Sequence, residues 1–338
     1  MKKLLFCVLS GLFIFAGLPA RAQKKMDMID KEIAAARTKT GEVIICSPYG
    51  KVPGTHSVEE AAKMIRPGMI LRLLPGHYNP PELIIFEQDK LIVESDSSGG
   101  YVDFPLYLYG KDCIVRNINI RGVETDSGTV IDTKTHGITI TSGGKSSSAL
   151  IANCAINGLM LYCNGQDITV RNTSVINGAK IVKGGERKVI QTRTYTTHTS
   201  GGSSIYSIIN FGKMEKKGKV SFEKCMFFSD GHLFHGNPTS MKLVNLVLLD
   251  NLIWCEHSLF QASSQTELKT TEGLKNYFNF GREIKNSLIK PQLKQNPSDS
   301  SRHDMRPGIF IITSGPGSNK EYGCNMNESK GIPVPLEN

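Results

Sequence analysis

The densest run of chemistry-bearing side chains lies between residues 179 and 203. Lys180, Lys183, Arg187, Lys188 and Arg193 stand there against a single acid, Glu186, with Tyr195 and His198 nearby and glycines on both flanks. Such a run offers an anionic ligand a net-positive wall rich in hydrogen-bond donors. A solvated loop is the plainer alternative. A second group, Asp230-Gly231-His232-Leu233-Phe234-His235-Gly236-Asn237, carries two imidazoles three residues apart. Histidine titrates near neutrality, so His232 or His235 can serve as a general base, with Lys183 a third candidate. A histidine packed at a corner of the fold is the competing reading. Asp126 and Asp132 lie close in sequence, as do Asp250 and Glu256. Oxygen donors of this kind suit Ca²⁺, the one cofactor the sequence suggests, although no spacing enforces a site. No CxxC or HExxH occurs, so zinc has no support.

The elements that would position these groups change character along the chain. Gln23 to Arg37 has helical periodicity, with Met28, Ile29, Ile33 and Ala36 on one face. Val58 to Ile65 repeats it behind Ser57, and Glu60 stands at the capping-box position. From Met69 onward short apolar, β-branched runs alternate with Gly, Ser, Asn and Asp almost to residue 260. Within them one local pattern returns: an apolar residue, a polar corner two places on, then apolar again. The corners are Asn117, Asn153, Asn172, Lys224 and Asn251, at intervals of 36, 19, 52 and 27 residues. Strand, tight polar corner, strand is how a parallel β-helix turns. Unequal intervals mean equivalent rungs with loops of different length. Asparagine suits the corner because its side chain can hydrogen-bond the next rung, so the asparagines are assigned to structure. The long interval before Lys224 contains the basic run, which is therefore an insertion in the solenoid. Asn-Gly or Asp-Gly hairpins do not dominate, which argues against a sandwich.

The N-terminus reads as an export signal. Lys2-Lys3, an apolar run from Leu4 to Leu18, and Ala20-Arg21-Ala22 give a positive, apolar and small-residue layout with cleavage near Ala22-Gln23. The apolar run is too short to span a bilayer. A secreted or periplasmic product of 316 residues follows. Its net charge drops from +9 to +6 with the loss of Lys2, Lys3 and Arg21. That mild excess allows an anionic partner without demanding one, and a nucleic-acid partner is not expected. Seven of the eight cysteines remain. An odd number without a regular framework points to small buried hydrophobes, Cys113, Cys154, Cys225 and Cys255 above all, rather than to disulfides or redox chemistry.

Residues Glu60 to Tyr78, with Ala61-Ala62, Pro67-Gly68, Ile70-Leu71-Arg72-Leu73 and Gly76-His77-Tyr78, resemble the opening of pectin-lyase-like β-helix proteins. Within that group they are most similar to chondroitinase B-like and alginate-lyase-like polysaccharide lyases. The resemblance implies an all-β, single-stranded right-handed parallel β-helix (a solenoid) with an N-terminal helical cap. The layout read along the chain is a signal at 1–22, a helical segment and cap at 23–65, and the β-helix at 66–262. A C-terminal cap holding one amphipathic helix at Glu267–Leu293 and a strand at Ile309–Ile312 follows at 263–313, then a loose tail at 314–338. It also implies β-elimination on a uronate-containing polysaccharide, in which a cation or Ca²⁺ neutralises the substrate carboxylate and a Lys, Arg, His or Tyr removes the proton at C5. His232, His235 and Lys183 are the candidate catalytic residues. Lys180, Arg187, Lys188, Arg193 and Tyr195 are the candidate substrate-binding residues, and Asp126 and Asp132 the candidate metal ligands. In the chondroitinase B-like family a turn resembling Leu233-Phe234-His235-Gly236 carries a catalytic arginine where this chain has Phe234. The alternative is therefore a non-catalytic β-helix that binds carbohydrate or a surface polymer.

Overall fold

The computed structural model describes residues 20–96, 99–141, 148–177, 180–183, 186–189, 207–229, 232–236, 238–249, 251–255, 260–262, 267–268, 308–312, 325–327 and 332–334. The chain forms two units, Met1–Thr40 and Gly41–Asn338. In the first, the helix Ala20–Thr38 runs through the predicted cleavage point; residues 1–19 of the export signal lie outside the described residues. Ile29, Ile33 and Ala36 are its buried stripe, at i, i+4 and i+7. Met28, expected on that stripe, is 63% exposed, because one residue earlier is a rotation of about 100° around the helix. No described helix is long and apolar enough to cross a membrane.

The second unit is a parallel β-helix. Nine strands stack in parallel into sheet A: Val43–Cys46, Ile70–Leu73, Ile92–Ser95, Ile114–Arg116, Gly128–Ile131, Ser148–Ala152, Asp167–Arg171, Gly218–Glu223 and Val244–Leu249. After each corner the chain enters the larger sheet B. Two parallel columns run through that sheet, merging in the long strands Tyr101–Leu108 and Asn119–Thr125. One inward column passes in register through every strand of sheet A: Ile44, Leu71, Val93, Val115, Val130, Ile151, Val170, Phe222 and Leu248. All nine are buried in one apolar core. Period-2 alternation repeated at a fixed register is what fills such a solenoid.

The ladder starts earlier than the predicted boundary at residue 66. Val43–Cys46 is already its first strand, and the helix Val58–Met64 lies between the first and second strands. That helix carries the expected capping box, with Ser57 Oγ accepting from the Glu60 N–H and Glu60 Oε2 accepting from the Ser57 N–H. Tyr78 of the Gly-x-Tyr is structural: buried, its hydroxyl lies 2.9 Å from the Cys46 carbonyl and 2.7 Å from that of Leu74.

The corners are as predicted in kind, with one position exchanged. Asn117, Asp132, Asn153, Asn172 and Lys224 all take positive φ, between 47° and 54°. Their N–H groups donate to Ile131, Ala152, Arg171, Glu223 and Leu249 on the next rung, so the backbone ladder is unbroken at the turn. Asp132 marks a rung that the interval from Asn117 to Asn153 concealed. Asn251 is not a corner of this series. It is fully buried, accepting from the Cys225 N–H and donating to the Phe222 carbonyl. Asn172 and Asn153 do stack, Nδ2 to Oδ1 at 3.3 Å. Directly after the corners Cys154 and Cys225 point inward and donate to backbone carbonyls. Burial raises both thiols to about 12. Cys46, Cys113, Cys154, Cys163 and Cys225 are free and buried, as expected for core packing.

At the C-terminal end two strands run against the ladder. Glu267–Leu268 pairs with Phe260–Ala262 where a helix was expected to begin, and the rest of that predicted helix lies outside the described residues. Gly308–Ile312, the predicted last strand, pairs with Asn251–Cys255. In the stretch read as a loose tail, Asn325–Asn327 pairs with Ile332–Val334.

Candidate functional site

The outward rows of the two sheets differ. On sheet A the outward positions Ile70, Ile92, Ile114, Leu150 and Val247 are removed from solvent although they lie outside the barrel core. A second outward row holds Arg72, Glu94 and Arg116, where one carboxylate bridges two guanidiniums at 2.7 and 2.8 Å. Burial alone would raise the Glu94 carboxyl. The paired arginines more than offset it and hold it below the usual carboxylate range. Most of this face is removed from solvent. Sheet B instead carries open polar rows, so its outer surface is the one available to a ligand.

His235 lies on one of these rows. Its strand, His232–Gly236, alternates so that Phe234 is fully buried, with ring centroids 6.0 Å from Phe211 and 6.1 Å from Phe222. His235 is half-buried on the other side, in register with Asn210 and Gln261. Burial lowers its pKa, so the ring is neutral at neutral pH and able to accept a proton. Phe234 fills the position at which the resemblance places an arginine. Because that position faces the core, a guanidinium there would be stranded in apolar surroundings.

The basic insertion leaves sheet B one rung earlier. Lys180–Lys183 pairs antiparallel with Glu186–Val189, so Lys180, Lys183, Arg187 and Lys188 lie on a two-stranded hairpin rather than a loop. Arg193, Tyr195 and His198 lie outside the described residues. The chain rejoins the sheet at Ser207–Phe211, whose Ser207 is in register with His232. Topology thus brings the foot of the insertion beside the strand of His232 and His235.

The two proposed metal ligands are not brought together. Asp126 follows Thr125 at the corner leading into sheet A, and Asp132 is the next corner, with the strand Gly128–Ile131 between them. The four-residue strand Gly128–Ile131 alone holds them apart by roughly 13 Å. Asp126 is buried, accepts from Ser127 Oγ at 3.2 Å, and its carbonyl accepts from Gln166 Nε2 at 2.7 Å. Among the described residues no three His, Cys, Asp or Glu side chains are grouped to hold a metal ion. Asp250 and Glu256 lie outside the described residues.

A cluster absent from the sequence reading lies on sheet B at the opposite end of the ladder. His77 Nδ1 is 2.6 Å from Asp103 Oδ2, and Arg121 Nη1 is 3.8 Å from Asp103 Oδ1. Tyr101 stacks on His136, with centroids 5.8 Å apart and planes inclined by 26°. The hydroxyl of Tyr109 donates to Glu124 on the neighbouring row. Only the register gathers these residues, since they come from four successive turns of unequal length. The alternation inside Gly76-His77-Tyr78, with Tyr78 inward, is the sequence signal that puts His77 outside.

No family model matches the chain, and no curated protein matches it. Among solved structures the chain is similar to the crystal structure of pectate lyase Pel9A, with a TM-score of 0.35 and 15% sequence identity. That match covers 69% of this chain and 59% of the other, so the chain spans about three-fifths of that structure's length.

Proposed function

We propose that the protein handles an acidic, uronate-containing glycan along the outer face of sheet B and cleaves it by β-elimination at the rung of His235. The observation that carries this reading is the contrast between the two sheets. The outward row of sheet A is buried, while sheet B presents a neutral, half-buried histidine beside the root of a cationic hairpin. In the reaction, lysines or arginines of the hairpin, Lys183 and Arg187 among them, neutralise the substrate carboxylate and acidify the C5 proton. His235 removes that proton. The C–H electrons form the C4–C5 double bond, and the glycosidic oxygen leaves C4 with its electron pair and is protonated. Export, expected from the first 22 residues, suits an extracellular polymer as substrate. Calcium can take the carboxylate-neutralising role in place of the cationic side chains.

The test is absorbance near the ultraviolet edge during incubation with pectate, alginate and chondroitin sulfate, with and without Ca²⁺. An unsaturated uronate signal on one of them is expected, with a loss of about a hundredfold or more in His235→Ala. No signal on any of the three polymers sinks the elimination reading. A non-catalytic glycan-binding role is favoured by one observation, the core position of Phe234, which leaves His235 without a neighbouring cation from its own strand. Binding to one of these polymers by calorimetry without absorbance change is its expected outcome.

A further inference from the structure

We infer that His77, Tyr101, Asp103, Arg121 and His136 form a second site, distinct from that of His235, which recognises a uronate residue by its carboxylate and its ring face. Their side chains come from successive turns of one outer surface. His77 is paired in register with Asp103, Tyr101 with Asn119 on the strand of Arg121, and the His136 N–H donates to the Arg121 carbonyl.

Each group has a chemical role that stability does not explain. Arg121 is 56% exposed at its side chain and makes only the long 3.8 Å contact with Asp103 as an ionic partner among the described residues. Its planar fork therefore has donors to spare for a second, bidentate carboxylate. Asp103 engages His77 at Nδ1, which fixes the imidazole and leaves Nε2 as the nitrogen available to a sugar hydroxyl. The Tyr101–His136 stack offers flat aromatic faces of the kind on which a sugar ring packs. Lys134, exposed and in register with Asn119, adds positive charge beside them, so an acidic sugar is favoured over a neutral one. Ion pairs this exposed contribute little to folding, so their alignment needs another cause.

The proposal shares a ligand class with the elimination reading but not its residues. From the strand of Arg121 to that of His235 the ladder takes four steps, through Ile138–Ile140, Leu159–Leu161 and Ser207–Phe211. At about 4.8 Å per step the two sites are separated by about 19 Å along the axis. A short fragment fills one site, while a chain long enough to cover that span engages both and gains from the second contact.

The experiment is calorimetric titration of the full chain with short oligogalacturonate and oligomannuronate fragments, each beside its carboxyl-reduced counterpart. At least one uronate fragment should bind, its reduced form should not, and Arg121→Ala and Tyr101→Ala should each weaken binding about tenfold. Asp103→Asn should weaken binding, because His77 loses the carboxylate that orients it, and Asp103→Glu should restore part of it, a rescue that mere loss of packing would not produce. His235→Ala should lose any elimination signal, and the fragment binding that remains in it should be the part that Arg121→Ala and Tyr101→Ala weaken. Equal binding of the reduced fragment, or parent-like binding by both Arg121→Ala and Tyr101→Ala, overturns the site. Absent elimination with this binding intact removes the lyase reading and leaves the second site standing. The substituted side chains are on the outer surface, and far-ultraviolet dichroism checks that each variant is folded.

Discussion

Glu94 is the residue whose chemistry is most constrained. It sits between Arg72 and Arg116 on the closed face of sheet A, and the two guanidiniums outweigh the effect of its burial. The sign of its effect on stability follows. A carboxyl whose folded pKa is depressed binds protons more readily when the chain is unfolded. Its contribution is therefore full above the unfolded value and is lost as pH falls through the lower, folded one. Stability of the parent should decline on acidification below the usual carboxylate range, and Glu94→Gln should flatten that decline. At neutral pH the same variant should lose on the order of 3 kcal/mol, because two arginines are left without their shared partner. Denaturant midpoints measured across the acid range test both statements. At this scale the sequence was readable only where neighbours in the chain are neighbours in space. His235 was named from its local turn. The Asp103–His77 pair was not, since the partners are 26 residues apart and join only through register.

At the scale of the element, the corner decides what is tolerated. Five consecutive corners hold a non-glycine residue in the left-handed region, four of them Asn or Asp and one a lysine. Asparagine and aspartate pay less for that conformation because their short polar side chains bond locally. Lys224→Asn should therefore stabilise the protein by about 0.5–1 kcal/mol, and Asn153→Val should destabilise it by about 2 kcal/mol. Thermal melting of both variants checks the pair, and an unchanged melting temperature in Asn153→Val would refute the corner argument. Gly128 marks a different constraint. It has φ of 103°, and a Cβ there would lie 2.4 Å from the Cys113 carbonyl oxygen. The corners were the most legible part of the fold, since side-chain type and backbone conformation coincide there. The turn at Asp132 was hidden because its rung is short. In sequence a corner aspartate and a calcium ligand look the same.

The second unit behaves as a stack in which each rung touches mainly its neighbours. Phe222 fills the centre of the eighth turn, with Phe227 edge-on at 5.3 Å and Phe234 at 6.1 Å. Phe222→Ala should cost about 3–5 kcal/mol. In a quasi-one-dimensional solenoid the damage should be local. Amide hydrogen exchange should accelerate in Asp167–Arg171 and Val244–Leu249, the strands flanking Phe222, well before Ile70–Leu73 and Ile92–Ser95 respond. Uniform acceleration along the ladder would mean that the turns unfold as one cooperative body. The fold class was legible at this scale because inward apolar positions repeat turn after turn. The choice between an open and a closed outer face was not, because Ile92 and Tyr107 are both ordinary strand residues until their surroundings are known.

The junction between Asn177 and Ser207 has a consequence for engineering. Strands on both sides of it keep their parallel partners, Ser174–Asn177 with Met226–Ser229 and Ser207–Phe211 with Leu159–Leu161 and His232–Gly236, although a long segment intervenes. Register there is set by the rungs above and below rather than by the length of the connection. This is a splice point at which a foreign peptide, an affinity tag or a fluorescent reporter can be carried at a known height on the scaffold, with the rest of the stack serving as its frame.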